Sequence, residues 1–198
     1  MAIPPFYVRE DEPSAKQQIL RAAMKLFADR GLDGTSIRDI AQESGYTNPA
    51  LYKHFSSKEQ LALHLFETCH QRLWTKCHAA VTAAGNFEAR LDGYIGQVLT
   101  LVDEHPEVMA FLSENARVLW PKSGAAVRRH TMIGLARSLM GSGPRSGRSR
   151  RRIQADVAAA SLQGTLAEIT RMLQVGVIPG PAIRWKPELV ALFRKIAV

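Results

Sequence analysis

A short polar segment near residue 50 carries side chains whose types suit the edges of DNA bases. The amide of Asn48 presents a donor beside an acceptor, which matches the N6 and N7 atoms of adenine. Pro49 or Ala50 can contact the methyl group of thymine. Lys53, one helical turn further on, can reach a guanine or a phosphate, or remain solvated. Together with Thr47, these residues are candidates for contacting bases.

Two short helices joined by a tight turn are predicted to hold this segment. Ser36 is a favourable N-cap for the first helix because its hydroxyl can accept from an unpaired backbone N–H. Gly45 suits the left-handed conformation that ends a helix. Thr47 is predicted to cap the second helix, with Pro49 in its first turn, where a missing N–H costs little. This arrangement is typical of a DNA-reading helix-turn-helix, whose second helix enters the major groove.

Apolar residues recur at helical spacing on both helices, so each can bury one face. They are Ile37, Ile40 and Ala41 on the first helix, and Leu51 and Phe55 on the second. A generic helical hairpin can show the same spacing, so the pattern alone leaves two interpretations open.

The flanking sequence favours the DNA-reading interpretation. Two stretches resemble the N-terminal signature of TetR-family transcriptional repressors, namely IRDIAQESGYTNPALYKHFSSKEQL and the preceding ILRAAMKLFADRGLDGTSI. The resemblance covers Gln18 to about Leu65. The remainder of the chain resembles the family in its length and helical character.

The resemblance implies an all-α fold of about nine helices. We expect a flexible N-terminal arm at 1–13, because it holds two adjacent prolines and an acidic run. A three-helix DNA-binding domain with the helix-turn-helix is expected at 14–57, its first helix opening with a Ser14–Gln17 capping box. A C-terminal helical ligand-binding and dimerisation domain is expected at 58–198. Periodicity and chain breakers predict its helices at about 58–84, 87–103, 107–119, 125–140, 153–177 and 187–196.

The resemblance also implies roles for further residues. Tyr52, His54 and Lys58 match family positions that contact DNA phosphates, and Ser36 and Arg38 match positions that contact the backbone or a flanking base. Tyr52 could instead pack between helices, and His54 could form a structural hydrogen bond.

Dimerisation and ligand binding are likewise implied by the resemblance. A homodimer formed through 153–177 and 187–196 would present two reading helices about 34–36 Å apart to a palindromic operator in double-stranded DNA. The middle helices, about 58–140, would enclose an unknown small, largely apolar effector that shifts the helix beginning at Lys58 and releases the repressor. The candidate pocket residues, for each of which a place in the core is the favoured alternative, are Trp74, His78, Met109, Phe111, Glu114 (or Asn115), Trp120 and Met132.

Composition sets outer limits on these interpretations. The chain has 198 residues, 46% of them hydrophobic, and a formal net charge of +8. Residues 1–60 carry equal numbers of basic and acidic side chains, so the positive excess lies later and does not mark the reading site. With no apolar run of about 18 residues and no secretory signal, we expect no membrane span and a cytoplasmic protein.

The cysteines and the Arg-rich segment suggest no further site. Cys69 and Cys77, eight residues apart on one predicted helix, are expected to be free buried thiols. No cofactor and no metal site is predicted, because each neighbouring Cys-His pair diverges around a helix. The segment 141–152 is expected to be a mobile solvated connector, with phosphate contacts as its alternative.

Two other functional classes are alternatives to a ligand-responsive DNA-binding regulator. No nucleophile elbow, phosphate-binding loop or HExxH motif is present, which argues against an enzyme. An architectural or partner-recruiting DNA-binding protein of the same fold, without a small-molecule effector, remains the alternative.

Overall fold

A computed structural model describes residues 5–143 and 154–197. Over these residues the chain forms α-helices and two short 3-10 helices, at Trp120–Lys122 and Ala182–Trp185, and no β-strand. The α-helices are α1 Ser14–Arg30, α2 Ile37–Ser44, α3 Asn48–Tyr52, α4 Lys58–Ala83, α5 Phe87–Glu104, α6 Pro106–Leu119, α7 Ala125–Arg129, α8 Met132–Gly141, α9 Ala155–Gln174 and α10 Lys186–Ala197. The all-α expectation is confirmed. None of these helices is long and apolar enough to cross a membrane.

The expected single helix at 125–140 is divided into α7 and α8. The hydroxyl of Thr131 accepts a hydrogen bond from the backbone N–H of Gly134 at 2.8 Å, and this N-cap starts a new helix. The described chain stops at residue 143 and resumes at 154. Most of the Arg-rich segment 141–152, and the expected start of a helix at 153, therefore lie outside the described residues.

The described chain forms two compact units. The first unit contains residues 5–72 and 107–128, and the second contains 73–106 together with the described residues from 129 onward. Helix α4 contributes residues to both. These units do not follow the expected boundary between 57 and 58, because the first part of α4 and most of α6 belong to the first unit. The functional division into 14–57 and 58–198 stays a prediction.

The first unit is built on the apolar face of α1. The five apolar residues that define this face by their spacing are all buried, and Phe27 stacks on Phe111 of α6 with ring centroids 5.7 Å apart. Fully burying one such side chain is worth about 1.5–3 kcal/mol. The five residues are Ile19, Leu20, Ala23, Leu26 and Phe27.

Residues 5–12 are folded, which corrects the expected flexible arm in this part of the chain. Val8 is completely buried, and Phe6 and Tyr7 nearly so. The guanidinium of Arg72 donates to the carbonyl of Phe6 at 2.6 Å. The burial of three consecutive large side chains and this long-range hydrogen bond outweigh the flexibility that the prolines and acidic residues suggested.

The start of α1 also differs from expectation. Pro13 occupies the N-cap position and no side chain caps the helix, so the Ser14–Gln17 capping box is wrong. The side chain of Gln17 donates instead to the carbonyl of Glu12 at 2.8 Å.

The carboxylate of Glu12 joins the N-terminal segment to α1 and α4. It is 7% exposed and accepts from Lys16 at 2.9 Å, from the imidazole of His64 at 2.8 Å and from the backbone N–H of Arg9 at 3.0 Å. Burial opposes ionisation, but the hydrogen bonds from Arg9 and Lys16 hold the pKa of Glu12 below its ordinary value. Burial, assisted by the charge of Lys16, lowers the pKa of His64 despite the Glu12 carboxylate.

We expect the free energy of unfolding to fall as the pH drops below 6.5, the ordinary pKa of histidine. The folded protein holds His64 neutral, whereas the unfolded chain takes up a proton there, so acid favours unfolding. His64→Gln keeps an N–H donor for Glu12 but does not titrate. It should flatten this part of the stability curve in urea unfolding between about pH 5 and about pH 7. His54→Gln is the matched control, and equally steep curves for His64→Gln and the unaltered protein would contradict the assignment.

Candidate nucleic-acid interface

The first helix of the predicted helix-turn-helix, α2, begins with a reciprocal capping box. The hydroxyl of Ser36 accepts from the backbone N–H of Asp39 at 3.2 Å, and the Asp39 carboxylate accepts from the backbone N–H of Ser36 at 2.8 Å. The prediction of Ser36 as N-cap is confirmed. The Ser36 hydroxyl and N–H hold the pKa of Asp39 below its ordinary value. At the other end, Gly45 has the left-handed conformation expected of it, with φ 74°.

The second helix, α3, is only five residues long. Pro49 lies in its first turn, as predicted. Thr47 is the N-cap residue of α3, as predicted, with an extended backbone, but its hydroxyl makes no capping hydrogen bond. Leu51 is completely buried and Phe55 nearly so. These two side chains fix the inner face of α3, and the opposite face is left toward solvent.

Most of the predicted contact residues lie together on α3 and its flanks. Thr47, Pro49 and Lys53 are exposed, while Asn48 and Ala50 are half-buried. The structure therefore groups at one helix the five side chains whose chemistry suits base edges.

The remaining predicted contacts surround that helix. Tyr52 is 54% exposed, which disfavours the alternative of packing between helices. His54 is half-buried, and Ser36 and Arg38 are exposed at the start of α2. The structure describes the protein without DNA, so their contacts with phosphates stay predictions.

Lys58 has a different environment from the one expected of a phosphate contact. Its ammonium group donates to the carbonyl of Leu32 at 2.7 Å and to the carbonyl of Thr35 at 2.8 Å. Two of the three N–H donors of the ammonium group are therefore used inside the protein. Sequence reasoning missed this role because both acceptors are backbone atoms that have no side-chain signature.

Two acidic side chains on α2, the helix that packs on α3, have partners within the protein. Glu43 on α2 forms an ion pair of 2.6 Å with Lys25, and Asp39 is held by the capping box. Because each carboxylate faces a cation or an N–H donor, the negative potential that it would direct at a phosphate is reduced.

The candidate effector residues are divided between the two units. Met109, Phe111, Glu114 and Trp120 belong to the first unit, and Trp74, His78 and Met132 belong to the second. Phe111 is buried in the core against Phe27, and Glu114 is exposed, so neither has the setting of a pocket residue.

Two aromatic groups in the second unit were not anticipated. The indole of Trp74 stacks on His78 with centroids 4.5 Å apart and also contacts His130, at 4.1 Å. The buried phenol of Tyr94 donates to the carbonyl of Met132 at 3.4 Å, and burial raises its pKa. Tyr94 follows Leu91 by three residues, and that spacing could have identified it as a core position.

Both cysteines are buried, as predicted. Burial raises the pKa of Cys77 to about 12 and the pKa of Cys69 further still, so both thiols are neutral at neutral pH. Across residues 5–143 and 154–197, no group of three His, Cys, Asp or Glu side chains is arranged to hold a metal ion.

Comparison with known proteins finds that part of the sequence is similar to bacterial regulators. The sequence model of the family described as bacterial regulatory proteins, tetR family, matches residues 19–65. The HTH-type transcriptional repressor KstR2 of Mycobacterium tuberculosis is 30% identical over 106 residues, which is 53% of this chain and 53% of that protein. The chain thus spans about half the length of the curated relatives it matches.

Solved structures extend the likeness to nearly the whole fold. The structure of the ketosteroid transcriptional regulator KstR2 of Mycobacterium tuberculosis has a TM-score of 0.79 and 22% identity, covering 95% of this chain and 97% of that one. The transcriptional regulator FadR of Bacillus subtilis, solved in complex with stearoyl-CoA, has a TM-score of 0.71 and 15% identity, covering 90% of this chain and 97% of that one.

The helix-turn-helix geometry and the sequence match concern the same part of the chain. Residues 19–65 carry the N-terminal domain described for bacterial regulatory proteins of the tetR family, and the described chain has the fold of the solved regulators.

Proposed function

We propose that this protein is a sequence-specific DNA-binding transcriptional regulator in the bacterial cytoplasm, acting as a repressor that a small ligand releases from its operator. The observation that carries the proposal is the outer face of α3. Thr47, Pro49, Tyr52 and Lys53 are exposed there, while Leu51 holds the inner face in the core. A short helix anchored on one side and polar on the other is the element that enters the major groove.

The contacts proposed for α3, Lys53 and Arg38 are of two kinds. Asn48 pairs with an adenine edge, and Pro49 or Ala50 lies against a thymine methyl group. Lys53 and Arg38 supply charge to phosphates, which sets position and affinity without reading sequence.

Two copies of the chain are proposed to bind together through α9 and α10. The outer face of α9 exposes Val157, Ala160, Gly164 and Ala167, and Leu192 on α10 is 46% exposed. Small residues on one face let a second helix approach closely, and the exposed valine and leucine gain by leaving water. A two-fold dimer then presents one α3 to each half of a palindromic operator.

The effector is proposed to be a small, largely apolar molecule bound by the middle helices. The supporting observations are that Trp74, His78 and Met132 are half-buried in the second unit and that a neighbour of the same fold was solved with stearoyl-CoA. Ligand binding releases DNA only if the ligand has different affinities for the DNA-bound and free conformations.

Selection of bound sequences from random duplex DNA tests the proposed function. A two-fold-symmetric motif should emerge, with half-sites about 10 base pairs apart, because the dimer presents two identical helices. No enrichment over the starting pool, or an asymmetric motif alone, would count against the proposal.

Asn48→Ala and Lys53→Met should affect binding to the selected duplex in different ways. Loss of the Asn48 amide should relax preference at one base pair and cost about 1–3 kcal/mol on the preferred sequence. Loss of the Lys53 charge should weaken binding to all duplexes and reduce the slope of log K against log salt by about 0.9 per contact. Titrations at several salt concentrations measure both effects. A changed base preference for Lys53→Met would show that this lysine contacts a base instead.

Gly164→Leu should convert the dimer to monomer while leaving the fold intact. Among the described residues, a Cβ at Gly164 meets no heavy atom within 4 Å beyond the neighbouring backbone of its own helix, so we expect the larger side chain to be tolerated until a second helix approaches. Sedimentation equilibrium measures the result, with the exposed Ala126→Leu on α7 as the matched control. A dimer that is equally stable in both variants would place the interface elsewhere.

A further inference from the structure

Lys58 begins α4, but its side chain turns back toward the connection between α1 and α2. The ammonium nitrogen lies 2.7 Å from the carbonyl oxygen of Leu32 and 2.8 Å from that of Thr35, which are 26 and 23 residues earlier in the chain. Both hydrogen bonds are charge-assisted and partly buried, which makes them stronger than exposed neutral ones. They join the first residue of α4 to both ends of a short loop.

The far end of that loop is itself rigid. Thr35 is 1% exposed, and its hydroxyl lies within hydrogen-bonding distance of the carbonyls of Gly31, at 2.9 Å, and Leu26, at 3.3 Å. The next residue, Ser36, is the N-cap of α2 and is fixed by the reciprocal bonds with Asp39. A displacement of the Thr35 carbonyl would therefore reach the start of α2 through a single covalent step.

We propose that Lys58 is a positioning residue that ties α4 to the start of α2 and so holds the helix-turn-helix in the arrangement that binds DNA. The proposal rests on the proposed function, because the tie affects binding only if α3 reads DNA. It assigns Lys58 a role distinct from that of Lys53, whose exposed ammonium is available for a phosphate.

While Lys58 holds the carbonyls of Leu32 and Thr35, the start of α4 and the loop before α2 keep one relative position. Loss of the Lys58 donors would free this loop, and with it the start of α2, on which α3 packs.

The test compares Lys58→Met, Thr35→Val and the matched control Lys53→Met in the full chain. Methionine keeps much of the apolar stem of lysine without its donors, and valine removes the Thr35 hydroxyl without changing any charge. Hydrogen exchange of the peptides covering residues 31–40 is measured in the free protein. Binding to one duplex from the selection described above is measured at several salt concentrations, and thermal melting followed by circular dichroism confirms that each variant folds cooperatively.

For Lys58→Met we expect exchange over residues 31–40 to be faster by on the order of tenfold, because the loop loses its tie. DNA binding should weaken by on the order of tenfold, with little change in the salt slope, since no phosphate contact is lost. Thr35→Val should reproduce the faster exchange and the weaker binding. Lys53→Met should lower the salt slope by about 0.9 per contact and leave the exchange unchanged.

Three results would overturn the proposal. The first is a salt slope that falls in Lys58→Met as it does in Lys53→Met, with exchange unchanged, which would make Lys58 a phosphate contact. The second is unchanged exchange and affinity in Lys58→Met. The third is a Lys58→Met variant with faster exchange but unchanged DNA binding, which would leave the tie without an effect on the helix-turn-helix. If the unaltered protein bound no duplex, the proposed function would fail, and the exchange data would still decide whether the tie exists.

Discussion

The burial of Leu51 is the interaction on which the candidate site depends. A five-residue helix does not form on its own in water, because nucleation fixes several residues for a single hydrogen bond. The helix α3 exists because Leu51 is completely buried and Phe55 almost completely. The same packing decides which face of α3 is free, so one apolar contact both stabilises the helix and directs its polar side chains outward.

Around this anchor, polar groups set the positions of the neighbouring helices. Ser36 and Asp39 fix the start of α2. Lys58 links α4 to the loop between α1 and α2. Further along α4, His64 and Arg72 bind the N-terminal segment through the Glu12 carboxylate and the Phe6 carbonyl. The first two turns of α4 and its middle are thus fastened to the same unit that carries α1, α2 and α3. Arg72 is also the last residue of α4 that belongs to the first unit.

Sequence reasoning succeeded where the determining interaction is local. The cap at Ser36 and the left-handed Gly45 each depend on residues within one or two helical turns, and both are confirmed. It failed where partners are distant. The hydrogen bond from Arg72 to the Phe6 carbonyl spans 66 residues, and no local pattern at 1–13 predicts it.

The candidate site shows the same division. Spacing alone predicts that Asn48, Pro49 and Lys53 lie together at one short helix. The structure places Asn48 and Pro49 on α3 and Lys53 at its C-cap. The environment of Lys58 does not follow from spacing, since its acceptors are backbone carbonyls of the loop between α1 and α2. The effector residues were the least predictable, because Phe111 has the same apolar character whether it lines a pocket or, as here, stacks on Phe27 in the core.

The contact of Trp74 with two imidazoles joins two parts of the second unit that are distant in the sequence. Trp74 is on α4, whereas His130 lies between α7 and α8, and the centroids of their rings are 4.1 Å apart. His78, one turn further along α4, stacks on the same indole. A molecule that entered between α4 and the segment at His130 would therefore have to separate these rings and replace their contact area with its own.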